Sequence, residues 1–386
     1  MYKKIPVFIA ACLGIFFFGI SMITLGSILP QLTETFGLNQ LEASALVVFL
    51  PIGILCGSLL FGPIVDRQGY KYLLIISSLL IVIGLEGLAF LQNVVWLRFA
   101  ILSIGLGGGI INGLTSALVS DITNDSDRGA KLSLLGAFYG FGALGIPIVL
   151  AFLSKRYPYQ TTLQYTGFFV LMCVGYFLAI GFPQSKQKQG FPLIAGIKLL
   201  QQPLLLLLCF ALFFQSAAEG LSNNWTTSYL NDVSIMSKEQ ALFVLTCMVA
   251  GMTTARLLMS ALFRKIGERR IFLGSLTIAL TGALFLYFTR SYLGASIAMA
   301  LIGFGLSSTF PVAFGILGRT YASLSGTVFS IALVIALIGN TLLNYLMGLV
   351  AKNWSIHYYP VVLFISMCMI VLLFALSLRH KPSDIK

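Results

Sequence analysis

Polar side chains interrupt one of the most apolar stretches of the chain. Gln215, Glu219, Ser222, Asn223 and Thr226 follow one another at steps of four, three, one and three. On a helix that spacing puts them on one face. An ionised carboxylate in hydrocarbon is costly unless it is paired or hydrated, so the stripe belongs against a watery cavity. A carboxyl group withdrawn from water favours its neutral form, which suits Glu219 to take up and release a coupling cation, first of all a proton. The amides and hydroxyls beside it suit a polyhydroxylated ligand. Read without a ligand, the same stripe is a hydrogen-bond network between helices.

Two more polar pairs sit one helical turn apart in apolar surroundings, Asn112 with Ser116 and Asn340 with Asn344. Amides both donate and accept, so Asn112, Asn340 and Asn344 are candidate solute contacts, with interhelical glue as the alternative. Trp225, beside the stripe, can stack on a sugar's apolar face or anchor the helix at the bilayer interface. Glu86 is the other acid within an apolar run and is expected near its outer end. Arg256 is expected in a structural ion pair. Metal chemistry finds little support. The two histidines, His357 and His380, lie in a loop and in the tail, and Cys12, Cys56, Cys173, Cys209, Cys247 and Cys368 fall singly within apolar runs as small buried hydrophobes. Asn353-Trp354-Ser355 fits a glycosylation sequon.

The elements that carry these residues follow from composition. Of 386 residues 58% are hydrophobic and only 9% charged, against about 25% charged in a soluble domain. About 20 apolar residues are needed to cross the hydrocarbon of a bilayer. Runs of that kind are predicted at 5–29, 43–65, 71–91, 94–120, 130–154 and 163–182, then at 203–230, 239–263, 270–289, 292–318, 323–350 and 357–378. The chain is thus predicted to be an all-α integral membrane protein of twelve transmembrane helices, with lipid as its main partner. The run from Ile5 is too long, and too poor in a cleavage site, for a signal peptide.

With the N-terminus inside, 17 of the 24 basic residues fall on inner segments, among them Lys3, Lys4, Arg67, Lys71, Arg128, Lys186, Lys198, Arg264, Lys265 and Lys381. That agrees with the positive-inside rule and predicts a multi-pass protein of the cell membrane with both termini cytoplasmic. The net charge of +12 is read as this topology signal. No nucleic-acid partner is expected, since no basic cluster sits in a soluble domain.

The chain repeats itself at an offset of 198 residues. The segment 66–71 lines up with 264–269, Gly105-Leu106-Gly107 with Gly303-Phe304-Gly305, and Ser21 with Glu219. The predicted organisation is a six-helix bundle over 1–182, a cytoplasmic linker over 183–202, and a second six-helix bundle with a short tail over 203–386. Two related bundles that rock about a midplane site are what alternating access requires.

Gly62-Pro63-Ile64-Val65-Asp66-Arg67-Gln68-Gly69-Tyr70-Lys71, between the second and third spans, resembles the conserved loop motif of the major facilitator superfamily. The resemblance implies an inner gate made of Gly62, Asp66, Arg67, Gly69, Lys71 and the inner end of span four at Asp121, with Asp66 pairing with a basic residue and latching the inner side in the outward-open state. A narrower resemblance rests on Gly105 to Pro147, on Glu219, Trp225, Tyr229 and Leu230 in span seven, and on Gly303-Phe304-Gly305 with Phe310-Pro311 in span ten. Together these are similar to the fucose–proton and glucose–mannose symporter branch. That implies the major facilitator fold and a hexose-like solute moved with H+ or Na+, with the branch's span-seven acid falling on Glu219. The chain departs from the branch at Ile110-Ile111 in span four and Gly26-Ser27 in span one, where relatives carry acids.

The leading expectation is therefore a monomeric secondary transporter that imports a monosaccharide with a proton or sodium ion and needs no cofactor. A major facilitator exporter of drugs or metabolites is the alternative. An enzyme is not expected, because clustered acids, histidines or cysteines for metal or acid–base work are missing.

Overall fold

Apolar segments in hydrocarbon must satisfy their own backbone, which a helix does within one segment. The computed structural model describes residues 2–153, 156–184, 199–233, 236–263 and 266–379. These residues form helices and connecting turns, with no strand among them. In chain order the helices are α1 (Lys4–Phe36), α2 (Gln40–Val47), α3 (Phe49–Gln68), α4 (Tyr70–Phe90), α5 (Val94–Ile122), α6 (Arg128–Leu153) and α7 (Tyr159–Ala179). The second half holds α8 (Pro203–Val233), α9 (Lys238–Leu262), α10 (Glu268–Phe288), α11 (Tyr292–Leu306), α12 (Thr309–Thr320), α13 (Ser325–Asn353) and α14 (Tyr359–Ser377). Twelve stretches of the described residues are long and apolar enough to cross a bilayer.

Three boundaries depart from the sequence expectation, each for a local reason. The first span runs on to Phe36, where Gly37 at φ 60° stops it and its backbone N–H caps Glu34 and Thr33. The second is preceded by the short α2, started by a reciprocal capping box between Asn39 and Glu42. The tenth is two helices, α11 and α12, interrupted at Ser307-Ser308. A correction also applies to the cysteines: Cys56 and Cys368 are exposed, because they lie on the outward faces of their helices.

The helices gather into two compact units. Unit 1 comprises 1–122, 138–193 and 323–330, and unit 2 comprises 123–137, 194–322 and 331–386. Relative to a cut in the linker, two short segments change places, the beginning of α6 and the beginning of α13. Most of the predicted linker, with Lys186, Lys188 and Lys198, lies outside the described residues, as do Lys155, Arg264, Lys265, His380, Lys381 and Lys386.

Inside each unit the 198-residue repeat holds at the level of single contacts. A methyl group on Gly105 of α5 would strike the carbonyl oxygen of Leu50, and one on Gly303 of α11 that of Met248, the matching residue of the repeat. Gly53 and Gly251 likewise face the carbonyls of Leu102 and Ala300, while Gly107 and Gly305 face those of Ser77 and Ser275. Small residues let helix backbones touch in a bilayer. The duplicated glycines mark where α3 and α4 meet α5 in unit 1, and where α9 and α10 meet α11 in unit 2.

Candidate functional site

Within unit 2, α8 carries the polar face read from the sequence, and the structure splits it in two. Gln215, Ser222 and Thr226 are buried, whereas Glu219 is half-buried and Asn223 exposed. The Thr226 hydroxyl meets the phenol of Tyr359 on α14 at 2.8 Å, which ties helix to helix. Glu219 and Asn223 stand one turn apart at the unit's surface, in the middle of a long apolar span. Such groups are not left facing lipid, so this part of α8 belongs to a wet face.

The carboxylate of Glu219 is held from below by Gln215. The Gln215 side-chain Nε2 donates to Glu219 Oε1 at 2.8 Å and also to the backbone oxygen of Leu306 at 2.9 Å. Leu306 is the last residue of α11, and its carbonyl is one of those a helix end leaves without an internal partner. The same break is closed by the Ser307 hydroxyl, which donates to Phe304 O at 2.7 Å, and by the pairing of the Ser275 and Ser308 hydroxyls. Arg256 of α9 adds its positive charge to the surroundings of Glu219. It is 8% exposed, donates from Nη1 to Gly136 O at 3.1 Å, and its own carbonyl accepts from Ser133 Oγ at 2.7 Å.

The asparagines of α13 serve the joint with α8. Asn344 Oδ1 accepts from Trp225 Nε1 at 3.2 Å and from Asn224 Nδ2 at 3.0 Å, and Asn344 Nδ2 donates to the Asn340 side-chain and backbone oxygens. Asn340 itself lies flat on Gly220, where no side chain would fit. Trp225 and Asn344 thus hold each other, in the manner of the glue alternative, while Asn340 sits one residue along from Glu219. In unit 1, Asn112 is half-buried; its backbone oxygen accepts from the Ser116 hydroxyl at 2.9 Å, so Ser116 is turned to its own helix. Glu86 is half-buried with its carboxyl group against Gly167 of α7.

At the end of unit 1 where α3 finishes, Asp66 is 1% exposed and its carboxylate receives the start of α13. Gly326 N donates to Oδ1 at 3.1 Å, and Thr327 donates to Oδ2 from its backbone at 2.8 Å and from its hydroxyl at 2.7 Å. A carboxylate against the free N–H groups of a helix start satisfies them and opposes the helix dipole. Gly62 makes this approach possible, because a side chain there would collide with the backbone of Gly326 and with Ser330. Gly69, at φ 81°, turns the chain from α3 into α4. Asp121 lies in the same place and accepts from the Ser325 hydroxyl at 3.0 Å and from the Tyr70 phenol. The lysine of the motif goes elsewhere: Lys71 Nζ donates to carbonyls at the C-terminal end of α7 and just beyond it, Leu178 O at 2.7 Å and Ile180 O at 3.0 Å. Arg67 is exposed.

Comparison with known proteins settles the family. The model of the Major Facilitator Superfamily matches residues 11–234 and 208–386. The chain belongs to that superfamily. Its fold is similar to that of the Escherichia coli fucose:proton symporter, with a TM-score of 0.81 at 18% identity, covering 97% of this chain and 99% of the symporter. In sequence it is 22% identical to the Bacillus subtilis glucose/mannose transporter over 394 residues, 96% of this chain and 94% of that protein. It is also 24% identical to a multi-drug resistance efflux pump of Streptococcus pneumoniae over 271 residues, 67% of this chain and 66% of the pump.

In this facilitator several side-chain pairings escape a reading by motif. Tyr70 and Asp121 pair in unit 1, and at the same repeat positions Glu268 and Arg319 pair in unit 2. There Arg319 Nη1 and Nη2 reach the two carboxylate oxygens of Glu268 at 2.8 and 2.5 Å. The repeat alignment already placed Tyr70 on Glu268, so the signal existed, but nothing in it announced a bond. Ser58 and Arg256 are another matched pair: each offers its backbone oxygen to a serine, Ser330 and Ser133 respectively, near the start of α13 or α6. The break at Ser307-Ser308 is flanked by Gly305 and by Pro311, whose missing N–H cannot bond the Ser307 carbonyl, so a local signal for it did exist.

Proposed function

We propose that this major facilitator moves a monosaccharide-like solute into the cell together with a proton or a sodium ion, by alternating access. The observation that carries the reading is the half-buried Glu219 in the middle of α8, bonded to a buried glutamine and flanked by exposed Asn223. A titratable group of that kind at a wet face serves cation coupling, and amides beside it serve hydroxyl recognition. The likeness to a glucose/mannose transporter over nearly the whole chain supports the choice of solute class. Asn223 in unit 2 and Asn112 in unit 1 are the proposed solute contacts, with Asn340 on the helix packed against Gly220; Gln215, Trp225 and Asn344 shape the α8 face through the bonds described above. The proposed gate is the Asp66–Asp121 cluster at the start of α13. Both termini are placed in the cytoplasm on the charge distribution, and the protein is proposed to work as a monomer in the cell membrane, without enzymatic chemistry or a cofactor.

One positive charge entering at 100 mV supplies roughly 2.3 kcal/mol, enough for about fifty-fold accumulation, so one coupled cation suffices. The second reading is export of drugs or metabolites, favoured by the similarity to an efflux pump. The test is uptake of labelled glucose, mannose, fucose and xylose into proteoliposomes under an imposed proton or sodium gradient, with an ionophore control. Accumulation of one sugar under one gradient is the expected result. Absence of accumulation for all of them under both gradients would sink the sugar-symport reading and leave export in front.

A further inference from the structure

Gln215 is fully buried, yet only one end of its amide is used. Nε2 spends its two hydrogens on Glu219 Oε1 and Leu306 O, both acceptors, which fixes the amide orientation by chemistry. Its Oε1 is buried without a hydrogen-bond partner. An orphaned amide oxygen in such a place calls for an explanation, and the neighbouring carboxyl group supplies one.

We infer that Gln215 is a positioning residue that couples the proton on Glu219 to the helix break at Ser307-Ser308, and that the coupled ion at this site is H+. The inference rests on the symport reading above. With Glu219 ionised, the amide gives it a charge-assisted bond and caps Leu306 with its other hydrogen. A proton delivered from water to the carboxylate removes the charge that made this bond strong. It also creates an O–H donor beside an amide whose oxygen is idle. A half-turn of the amide lets Oε1 accept that O–H, and the same half-turn withdraws Nε2 from Leu306. The end of α11 then loses its cap inside the membrane-spanning region, where an unmet carbonyl is costly, and the junction with α12 is free to rearrange. Loss of the proton reverses each step.

A sodium ion fits this arrangement poorly, because the donor end of Gln215 already points at the carboxylate and Arg256 adds a positive charge nearby. Around Glu219, α9 presents Arg256, and α6 presents the Gly136 carbonyl that Arg256 binds. From α11 comes the Leu306 carbonyl, from α13 the uncharged Asn340 amide at Gly220, and from α14 the Tyr359 phenol two turns away at Thr226. Glu219 is the acid of this set.

The experiment is hydrogen–deuterium exchange of the peptide covering the break in the full-length protein in lipid nanodiscs, across pH and corrected for intrinsic exchange. No solute is needed. Exchange at residues 307–310 is expected to rise about fivefold to tenfold as pH falls, the effect of losing one buried hydrogen bond. Glu219→Gln and the near-isosteric Gln215→Met should both make it high and indifferent to pH. If Glu219→Gln flattens the profile but Gln215→Met follows the wild type, Gln215 is not the link. If wild-type exchange ignores pH, or follows sodium chloride at fixed pH, the proposal is overturned while sugar uptake in proteoliposomes remains free to support symport with another ion.

Discussion

Thr327 gives one carboxylate oxygen of Asp66 two hydrogen bonds, from its backbone N–H at 2.8 Å and from its hydroxyl at 2.7 Å. With Gly326 on the other oxygen, a residue from the first half of the sequence caps a helix of the second. The facilitator motif is thus a helix cap supplied from a distance. Asp66→Ala should lower stability by about 2 kcal/mol, since a lost cap costs about 0.5–2 kcal/mol and buried donors left unmet cost more. Thr327→Val, which keeps the backbone donor, should cost about 1 kcal/mol. Thermal unfolding in detergent measures both. Equal losses would mean that the hydroxyl, not the capped helix start, carries the contact.

The two matched pairs make a second prediction. Arg319 and Glu268 are 30% and 25% exposed, so their bidentate pair is partly screened and worth about 1 kcal/mol. Single alanine substitutions at either residue should destabilise by similar amounts, and the double variant should be little worse than each single one. Additive losses in that cycle would show that the two side chains act independently.

Glu219→Gln should abolish cation-driven accumulation and leave sugar exchange across the membrane intact, because exchange does not require the carboxyl group to cycle. The lower the outside pH relative to the inside, the larger the difference between wild type and variant should be. Counterflow and gradient-driven uptake in the same proteoliposomes separate the two. Wild-type accumulation by the variant would remove Glu219 from the coupling role.

The asparagines divide by what they touch. Asn344 is bonded to Trp225, Asn224 and Asn340, so Asn344→Ala should cost about 1 kcal/mol of stability by removing bonds to half-buried and exposed partners. Exposed Asn223 makes no such joint. Asn223→Ala should leave the unfolding temperature unchanged and raise KM for the transported sugar about tenfold. A stable Asn344→Ala protein with raised KM would reverse these assignments.

Much of the architecture was legible because lipid leaves so few options. Apolar length marked the spans, and the 198-residue offset aligned Gly105 with Gly303; the structure adds that each meets a carbonyl at a matching position, that of Leu50 or Met248. What periodicity could not convey is the partner of each polar group. Gln215, Ser222 and Thr226 share a helical face with Glu219 by spacing alone, yet burial turns them to neighbouring helices, because 100° per residue spreads five positions over more arc than one cavity covers. Asp66 was expected to meet a basic side chain. Three of its hydrogen bonds come from the start of a helix some 260 residues later, two of them from backbone N–H groups that no residue pattern records. The break in the tenth span has a local signal in Pro311, which cannot bond the Ser307 carbonyl, whereas its closure by Gln215 from α8 and Ser275 from α10 has none.

The paired positions 70 with 121 and 268 with 319 have a consequence for engineering. One geometric socket accepts a phenol with a carboxylate in one unit and a carboxylate with a guanidinium in the other, so the scaffold constrains distance and leaves polarity open. Transplanting the second chemistry into the first, as Tyr70→Glu together with Asp121→Arg, offers a way to retune that junction without redesigning the helices around it. Ancestral duplication, in this sense, left a spare set of interchangeable fittings.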